Sequence, residues 1–214
     1  MKNIENMFTE SKDFVEYSGK YFGHLAEMMK SLDTGAVSRF VSLIENAYKN
    51  GNTVFISGNG GSAATASHMA NDLSVGVPKK SGCSGAIKAL SLNDNIPVMT
   101  AIANDGSYDD IFVDQLRVHF RDGDKFIAIS ASGNSPNLVK AAKWVKDKGG
   151  SVTGILGFDG GDLKAICDTV IHVRSEKGEY GPVEDIHMVL DHLVATWLQQ
   201  RMKSEKGDFT KNGR

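Results

Sequence analysis

The chain has 214 residues, of which 41% are hydrophobic and 23% are charged, and its formal net charge is −2. These values are typical of a soluble globular protein, and they favour neither nucleic acid nor an anionic membrane surface as a partner. The longest apolar runs are far shorter than the ~20 residues that a membrane span needs.

The amino terminus and the two cysteines bear on where the protein works. Residues 1–6 contain no apolar core of a signal peptide. Cys83 and Cys167 stand apart without metal-ligand spacing, which predicts two unpaired thiols in a reducing, cytoplasmic setting. A single disulfide between them is the alternative.

Two amphipathic helices are predicted at the start of the chain, over residues 3–32 and 35–50. Apolar residues recur there every three or four positions, and Asp33-Thr34-Gly35 separates the two helices. These helices have no partner strand in the alternation that follows. We therefore expect a helical hairpin that either covers one face of a sheet or serves oligomerisation.

After residue 52, short β-type segments alternate with helical ones. The predicted strands span residues 53–56, 86–90, 125–129, 151–156 and 169–173. The predicted helices span residues 62–75, 96–103, 110–119, 136–148 and 183–202. This alternation predicts an α/β fold with a parallel sheet covered by helices on both faces. We expect residues 1–203, including the hairpin at 1–50, to form one domain, and residues 204–214 to be a disordered tail.

A glycine-rich loop joins the first predicted strand to the alanine-rich helix after it, where residues 57–62 read SGNGGS. Glycines let a backbone approach a ligand closely, and the first helical turn offers free N–H groups and the positive end of the helix dipole. The loop therefore favours an anion, whereas an ordinary strand–helix connection is the alternative for such a loop taken alone.

A second loop of this kind follows the third predicted strand, where residues 130–135 read SASGNS and Pro136 opens the next helix. Neither loop is a Walker loop, because no Gly-Lys-Ser/Thr follows, and neither matches GxGxxG. Hydroxyls and amides can surround a phosphate without a buried lysine. Two serine-bearing loops at the carboxyl ends of strands, where such folds bind ligands, predict a small phosphorylated ligand.

Three groups of polar residues could carry chemistry. His68 and Asp72 lie four residues apart on the helix after the first loop and therefore share one face. Asn104 and Asp105 follow the helix at 96–103. The last predicted helix carries Glu184, Asp185, His187 and His192.

The last helix is predicted to face the core with the apolar residues at 186, 189, 190, 193 and 197. Glu184, His187 and Asp191 then point mainly away, and we assign the last two to a solvated face or a subunit contact. Glu184 and His192 lie roughly 80° apart around the axis and about 12 Å along it, so they meet only if both side chains lean inward. A histidine and a carboxylate from each of two helices would make a zinc site or an acid–base pair, although a lone histidine is more often structural.

Taken together, these motifs resemble those of the sugar isomerase (SIS) domain proteins and, among them, the phosphoheptose isomerase group. The resemblance covers nearly the whole chain, including the amino-terminal hairpin. It rests on residues 58–62 with His68, residues 103–105 with 110–112, residues 130–135, residues 159–161, and residues 184–187 leading to His192.

The resemblance implies a three-layer α/β/α fold, with a five-stranded parallel sheet in flavodoxin-like order, and a homotetramer with active sites at subunit interfaces. It also implies an aldose–ketose isomerase that converts sedoheptulose 7-phosphate to D-glycero-D-manno-heptose 7-phosphate through an enediol(ate), in heptose and surface-glycan biosynthesis. Ser130, Ser132 and Ser135 would hold the phosphate. Further substrate contacts are implied at Asn59, Gly60, Gly61, Ser62, Asn104, Asp105, Ala131 and Glu184.

By the same resemblance, zinc ligands fall on His68, Asp72, Glu184 and His192, the catalytic base on Asp72 and the acid on His192. Two positions depart from the family pattern, which has glutamate in place of Asp72 and glutamine in place of Glu184. The alternatives are a shifted pocket, another base, another sugar phosphate, or a non-catalytic SIS protein that binds a partner or senses a sugar phosphate. The two histidines with carboxylates beside them favour an enzyme. Residues 76–85 are expected to form a mobile loop that closes over the ligand or meets a neighbouring subunit.

Overall fold

The computed structural model describes residues 2–83 and 85–204, and its centre is a parallel sheet of five strands in the spatial order β2-β1-β3-β4-β5. The strands are β1 (Thr53–Gly58), β2 (Lys88–Ser91), β3 (Lys125–Ser130), β4 (Ser151–Leu156) and β5 (Thr169–His172). In the register of the sheet, Ile56 lies opposite Ile127, which lies opposite Thr153. The five predicted strands and their flavodoxin-like order are confirmed.

The order of the strands reverses between β1 and β3. After β1 the chain moves to the edge strand β2 and then returns to the other side of β1 as β3. In open α/β sheets, ligands bind outside the carboxyl ends of the strands at such a switch point. The two loops rich in glycine and serine, residues 57–62 and 130–135, follow these two neighbouring strands.

Helices cover both faces of the sheet. The α-helices of the described residues are α1 (Lys2–Thr9), α2 (Phe14–Lys30), α3 (Thr34–Asn50), α4 (Gly61–Asn71), α5 (Val77–Ser81), α6 (Ile96–Asp105), α7 (Val113–His119), α8 (Pro136–Asp147), α9 (Leu163–Ile166) and α10 (Tyr180–Ser204). Buried side chains of α3, α4 and α10 form one core with β1, β3 and β4, and those of α7 and α8 form another on the opposite face. The three-layer α/β/α arrangement is thus confirmed.

The predicted helix over residues 3–32 is two helices, because the chain leaves the helical path between Thr9 and Phe14. Asp13 is extended (φ −155°, ψ 178°), and its side chain accepts a hydrogen bond from the backbone N–H of Glu16 at 2.9 Å. The Glu16 carboxylate in turn accepts from the backbone N–H of Lys12 at 3.1 Å. This reciprocal capping explains why α2 begins afresh here.

The segment at 76–85 differs from the mobile loop that we expected. The α4 helix widens into one π-helical turn at Asp72–Gly76 and continues as α5, with Pro78 in the first turn of that helix. Val77 and Ser81 are buried, and α5 packs against α10. Gly82, at φ 73°, ends the helix. The expectation of a loop is therefore wrong for residues 77–81, while Ser84 lies outside the described residues.

The buried face of α10 also differs from the prediction. Val189, Leu193 and Trp197 are 44%, 53% and 57% exposed, whereas His187 and Asp191 are 0% and 1% exposed. The side chains that face the core instead include Val183, Ile186, His187, Leu190, Asp191, Val194 and Leu198. The prediction is thus confirmed for Ile186 and Leu190 and wrong for Val189, Leu193 and Trp197, because it placed the polar residues His187 and Asp191 in solvent.

None of the helices in the described part of the chain is long and apolar enough to cross a membrane. The last of them, α10, extends through Ser204. The disordered tail was predicted for residues 204–214; Ser204 is helical, and residues 205–214 lie outside the described residues. The single-domain expectation stays a prediction.

Candidate active site

A small pocket lies where the two loops meet at the carboxyl ends of β1 and β3. Its volume is about 140 Å³, which suits a phosphate group. It is lined by Asn59, Ser62, Ile129, Ser130, Ala131, Ser132, Ser135, Tyr180 and Glu184. Sequence reasoning placed seven of these in the site: Asn59, Ser62, Ser130, Ala131, Ser132, Ser135 and Glu184. It missed two: Ile129, which lies in β3, and Tyr180, which lies in the first turn of α10, before the predicted start of the helix.

The first loop depends on glycine in two ways. Gly60 has a φ of 56°, which L-residues rarely adopt, and it immediately precedes α4. At Gly61, a Cβ atom would lie 2.1 Å from Oε2 of Glu184, so the carboxylate of Glu184 occupies the space that a side chain would fill. The glycines thus bring the backbone of the loop against α10 and fix one wall of the pocket.

Asn59 is held by two neighbours. Its amide exchanges two hydrogen bonds of 3.0 Å with the buried Asn137, and its Oδ1 accepts a third, from the Tyr108 hydroxyl, at 3.0 Å. Asn137 belongs to α8 and Tyr108 to the 3₁₀ turn at Tyr108–Asp110. These contacts tie the first loop to the helix that follows the second loop.

The second loop is arranged by its own hydroxyls. The Ser130 Oγ accepts from the N–H of Gly133 at 3.0 Å, and Gly133 itself has a φ of 67°. Ser135 occupies the position before α8, but its side chain makes no capping hydrogen bond. Its hydroxyl is therefore available to a ligand at the positive end of the α8 dipole.

Asn104 and Asp105 do not line this pocket. They lie at the carboxyl end of α6, and both are exposed. The Asn104 amide donates to Asp105 Oδ1 at 2.8 Å. Within one chain, these two predicted substrate contacts stay apart from the phosphate-sized pocket.

A second cluster of polar side chains lies between α4 and α10. One possible ligand atom from each of His68, Asp72, Asp191 and His192 lies within 4.8 Å of the others. The rings of His68 and His192 are 5.0 Å apart and nearly perpendicular, at 79°. The spacing of four residues between His68 and Asp72 brings both to one face of α4 and its π-helical extension, as the sequence predicted.

The cluster includes Asp191 where the resemblance implied Glu184. Glu184 lies about two turns earlier on α10, against Gly61. Asp191 was assigned to a solvated face or a subunit contact, and that assignment is wrong, because its side chain is only 1% exposed. A buried carboxylate needs a partner, and here that partner is His68, from a segment 123 residues away. The sequence offered no signal for it, because the burial of Asp191 and of His187, four residues earlier, is seen only in the structure.

Burial controls the ionisation of this region. It raises the pKa of the Asp191 carboxyl, an effect that the hydrogen bond from His68 opposes. Burial and, secondarily, the nearby Asp185 raise the pKa of Glu184. The fully buried His187 has its pKa lowered to about 4 by desolvation, so it is neutral at pH 7.

The donor set of the cluster fits a divalent cation. Two imidazoles and two carboxylates are the ligand types that zinc takes. In addition, Oδ1 of Asp191 is buried and has no hydrogen-bond partner in the part of the chain that the structure describes. A positive charge would compensate this otherwise costly buried oxygen.

The amino-terminal helices brace the start of α10. The Tyr21 hydroxyl donates to Oδ2 of Asp185 at 2.6 Å. His24 Nε2 lies 3.2 Å from Oε1 of Glu179, whose side chain is fully buried. Both partners flank Tyr180 and Glu184, so α2 helps to hold one wall of the pocket.

The position of this pocket, at the switch point of a parallel sheet between two serine-bearing loops, is typical of α/β domains that bind phosphorylated small molecules. The family model described as the SIS domain matches residues 19–157. The chain is 37% identical to the phosphoheptose isomerase of Clostridium acetobutylicum over 172 residues, which cover 80% of this chain and 85% of that protein. It is 35% identical to the phosphoheptose isomerase of Aneurinibacillus thermoaerophilus over 159 residues, covering 74% and 78%.

A solved structure gives the same result. The phosphoheptose isomerase from Neisseria gonorrhoeae superposes with a TM-score of 0.76 at 26% identity, covering 88% of this chain and 100% of that one. The chain therefore belongs to the phosphoheptose isomerase family of SIS domain proteins.

Proposed function

We propose that this protein is an aldose–ketose isomerase of a phosphosugar that interconverts sedoheptulose 7-phosphate and D-glycero-D-manno-heptose 7-phosphate, in heptose and surface-glycan biosynthesis. The observation that carries the proposal is that α4 and α10 each contribute both to the phosphate-sized pocket and to the acid–base cluster. On α4, Ser62 lines the pocket and His68 belongs to the cluster. Six residues of helix separate them by about 9 Å, which favours a long acyclic sugar phosphate over a short one.

We assign phosphate binding to Ser130, Ser132 and Ser135 together with the amino terminus of α8. Their hydroxyls line the pocket, and the helix dipole favours an anion there. Further contacts to the sugar are proposed at Asn59, Gly60, Gly61, Ser62, Ala131 and Glu184. This grip fixes one end of the substrate, so that the reacting carbons are presented to the cluster in a constant orientation.

The reaction requires a base and an acid at two adjacent carbons. We propose that the carboxylate of Asp72 removes the proton from the carbon next to the carbonyl and returns it to the former carbonyl carbon. His192 donates a proton to the carbonyl oxygen and accepts one from the neighbouring hydroxyl, so that an enediol(ate) lies between the two sugars. An imidazole can both donate and accept a proton, which suits it to this role.

Zinc is the proposed cofactor, with one ion per chain. His68, Asp72 and His192 would hold it, and when bound it would polarise the carbonyl and stabilise the negative charge that develops on the oxygens. Glu184, the fourth ligand implied by resemblance, is placed here with the substrate contacts, because it packs on Gly61 in the phosphate pocket. Asp191, not Glu184, lies with the other three side chains in the cluster.

We further propose a homotetramer with active sites at subunit interfaces. Large apolar side chains are exposed on the amino-terminal helices, where Phe8, Phe14 and Phe22 are 72%, 79% and 66% exposed, and such a surface is typical of an interface. The exposed stripe of α10 adds Leu193 and Trp197 beside His192. Asn104 and Asp105, which lie outside the pocket of their own chain, are proposed to act in a site that two subunits share.

We propose a reducing, cytoplasmic compartment because the two cysteines are not joined in a disulfide. Cys83 and Cys167 are both free. Burial raises the pKa of the Cys167 thiol to about 12, which keeps it protonated and unreactive. Neither thiol therefore depends on oxidation for its place in the fold.

The test is proton NMR of sedoheptulose 7-phosphate mixed with the purified protein in heavy water, with added zinc and with a chelator. We expect conversion to the heptose phosphate with deuterium entering at the carbon that receives the proton. His192→Ala is expected to abolish conversion without changing the far-ultraviolet circular dichroism. Absence of conversion by the folded wild-type protein in both conditions would overturn the isomerase assignment, and a thermal-shift screen of sugar phosphates would then test the sensing alternative.

A further inference from the structure

His68 and Asp191 form the closest contact within the side-chain cluster. Nδ1 of His68 lies 2.7 Å from Oδ2 of Asp191, the length of a strong, charge-assisted hydrogen bond. The two side chains differ in exposure, since His68 is 40% exposed and Asp191 only 1%. A buried carboxylate on one helix thus holds a half-exposed imidazole on another.

The 2.7 Å separation argues against both atoms binding the same ion. Ligand atoms of a tetrahedral zinc, each about 2.0–2.1 Å from the metal, lie about 3.3 Å from one another. A carboxylate oxygen at hydrogen-bond distance from Nδ1 instead accepts the proton that this nitrogen carries. The other ring nitrogen, Nε2, then has a lone pair available to ligate or to accept a proton.

We propose that Asp191 is a positioning residue for His68: its carboxylate keeps the imidazole in the Nδ1–H tautomer and fixes the ring so that Nε2 serves the cluster with Asp72 and His192. Carboxylates that orient metal-binding histidines in this way raise the basicity of the ligating nitrogen. The inference rests on the metal centre proposed above. It adds a residue that the resemblance does not assign, on the buried face of α10.

Asp191 depends on His68 as much as His68 depends on Asp191. The hydrogen bond to His68 is the one that the structure gives the Asp191 side chain, since Oδ1 has no partner among residues 2–83 and 85–204. An aspartate that served only to fill the core would be replaceable by an apolar residue, whereas a positioning aspartate would not. The state of the His68 ring is therefore the property to measure.

The first experiment is long-range ¹H–¹⁵N NMR of the metal-free protein labelled at histidine, which reports which ring nitrogen carries the proton. We expect wild-type His68 in the Nδ1–H form, and Asp191→Ala to shift it to the Nε2–H form that free histidine prefers. Glu179→Gln is the matched control, because it alters another histidine–carboxylate pair, that of Glu179 with His24, and should change only His24. An unchanged His68 tautomer in Asp191→Ala would overturn the proposal.

The second experiment measures zinc affinity by competition with a chromophoric chelator. We expect Asp191→Ala to weaken binding by roughly 10- to 100-fold while keeping one ion per chain, because the ligands themselves remain. Asp191→Asn keeps an acceptor oxygen and should recover most of the affinity; it also carries the test if the alanine variant does not fold. An unchanged affinity, or complete loss of binding in both variants, would contradict a positioning role.

The two experiments separate this inference from the proposed function. If the wild-type protein binds no zinc, the proposed metal centre fails, yet the tautomer of His68 in the metal-free protein still decides whether Asp191 orients the ring. If zinc binds and the tautomer does not respond to Asp191, the metal centre stands and the inference fails.

Discussion

The phosphate-sized pocket and the side-chain cluster share the helices α4 and α10, but they are formed by different parts of the chain. The pocket consists largely of loop backbone and short hydroxyls from two contiguous segments, at 57–62 and 130–135. The cluster consists of histidine and aspartate side chains from two helical segments, and its closest pair, His68 and Asp191, is 123 residues apart in the chain. The backbone geometry of a loop is determined largely by the residues of that loop. Whether side chains from two helices come into contact depends instead on how each helix is rotated about its axis.

The largest expected effect is on the cluster. Asp72→Asn removes the proposed base at almost constant volume, so we expect kcat to fall by about 10³-fold, within the range attributed to general base catalysis. Because the pocket is separate, the affinity for inorganic phosphate, measured by calorimetry, should stay within about twofold. A parallel loss of phosphate affinity would show that pocket and cluster are not independent.

Gly133→Ala tests whether the pocket depends on the backbone geometry of the second loop. Its Cβ would lie 1.9 Å from the backbone oxygen of Gly160, and its φ is 67°. We expect a loss of at least about 3 kcal/mol in the free energy of unfolding, measured with urea. Gly149→Ala is the control, because it has a φ of 74° and open space around it; it should cost only about 1–2 kcal/mol. Equal losses would mean that the close approach of the two backbones is unimportant.

The burial of His187 on α10 predicts how the free energy of unfolding depends on pH. Its pKa in the folded protein is about 4, below the ordinary value of 6.5, so the unfolded chain takes up a proton at higher pH than the folded one. Its neutral form is compatible with the fold above pH 6.5, and stability is lost as the pH falls from 6.5 towards 4, by up to about 3 kcal/mol. Urea unfolding of metal-free protein at several pH values measures this.

The matched variants for that measurement are His187→Leu and His119→Leu. The first should lose most of this slope between pH 6.5 and 4, while the second, at an exposed position, should keep it. A wild-type slope that survives in His187→Leu would assign the acid sensitivity to other groups.

The smallest expected effect is on KM, from a substitution beside the pocket. Tyr108→Phe deletes the hydroxyl that donates to Asn59 Oδ1 and leaves the two hydrogen bonds with Asn137 in place. One hydrogen bond of an exposed tyrosine contributes about 1 kcal/mol, so we expect KM for the sugar phosphate to rise a few-fold at unchanged kcat. A change in kcat instead would place Tyr108 nearer to the reacting carbons.

The sequence predicted local backbone features better than contacts between distant segments. The five strands and both loops could be predicted because β-branched runs, glycines and serines act over a few residues. The break before Asp13 was missed, although Asp13 and Glu16 have the spacing of a helix-capping pair. Gly76 was taken as the start of a loop, yet burial of Val77 against the rest of the core keeps the chain helical there.

The candidate site was predictable only in part for a related reason. His68 and Asp72 needed only the helical repeat, and they do share a face. Asp191 could not be predicted, because the burial of a carboxylate on α10 is compensated by a histidine on a different helix, and the sequence does not state that pairing. The apolar stripe through Leu193 and Trp197 was the misleading feature, since an exposed apolar face and a buried one have the same spacing.

The position of α10 along the chain determines which parts of the site a local substitution would alter. The stretch that matches the SIS domain, residues 19–157, ends before α10 begins at Tyr180. Asp191 and His192, half of the side-chain cluster, lie on the same helix as the pocket residues Tyr180 and Glu184. Substitutions confined to α10 would act on both the side-chain cluster and one wall of the pocket, while the serines at 130–135 lie on a separate part of the chain.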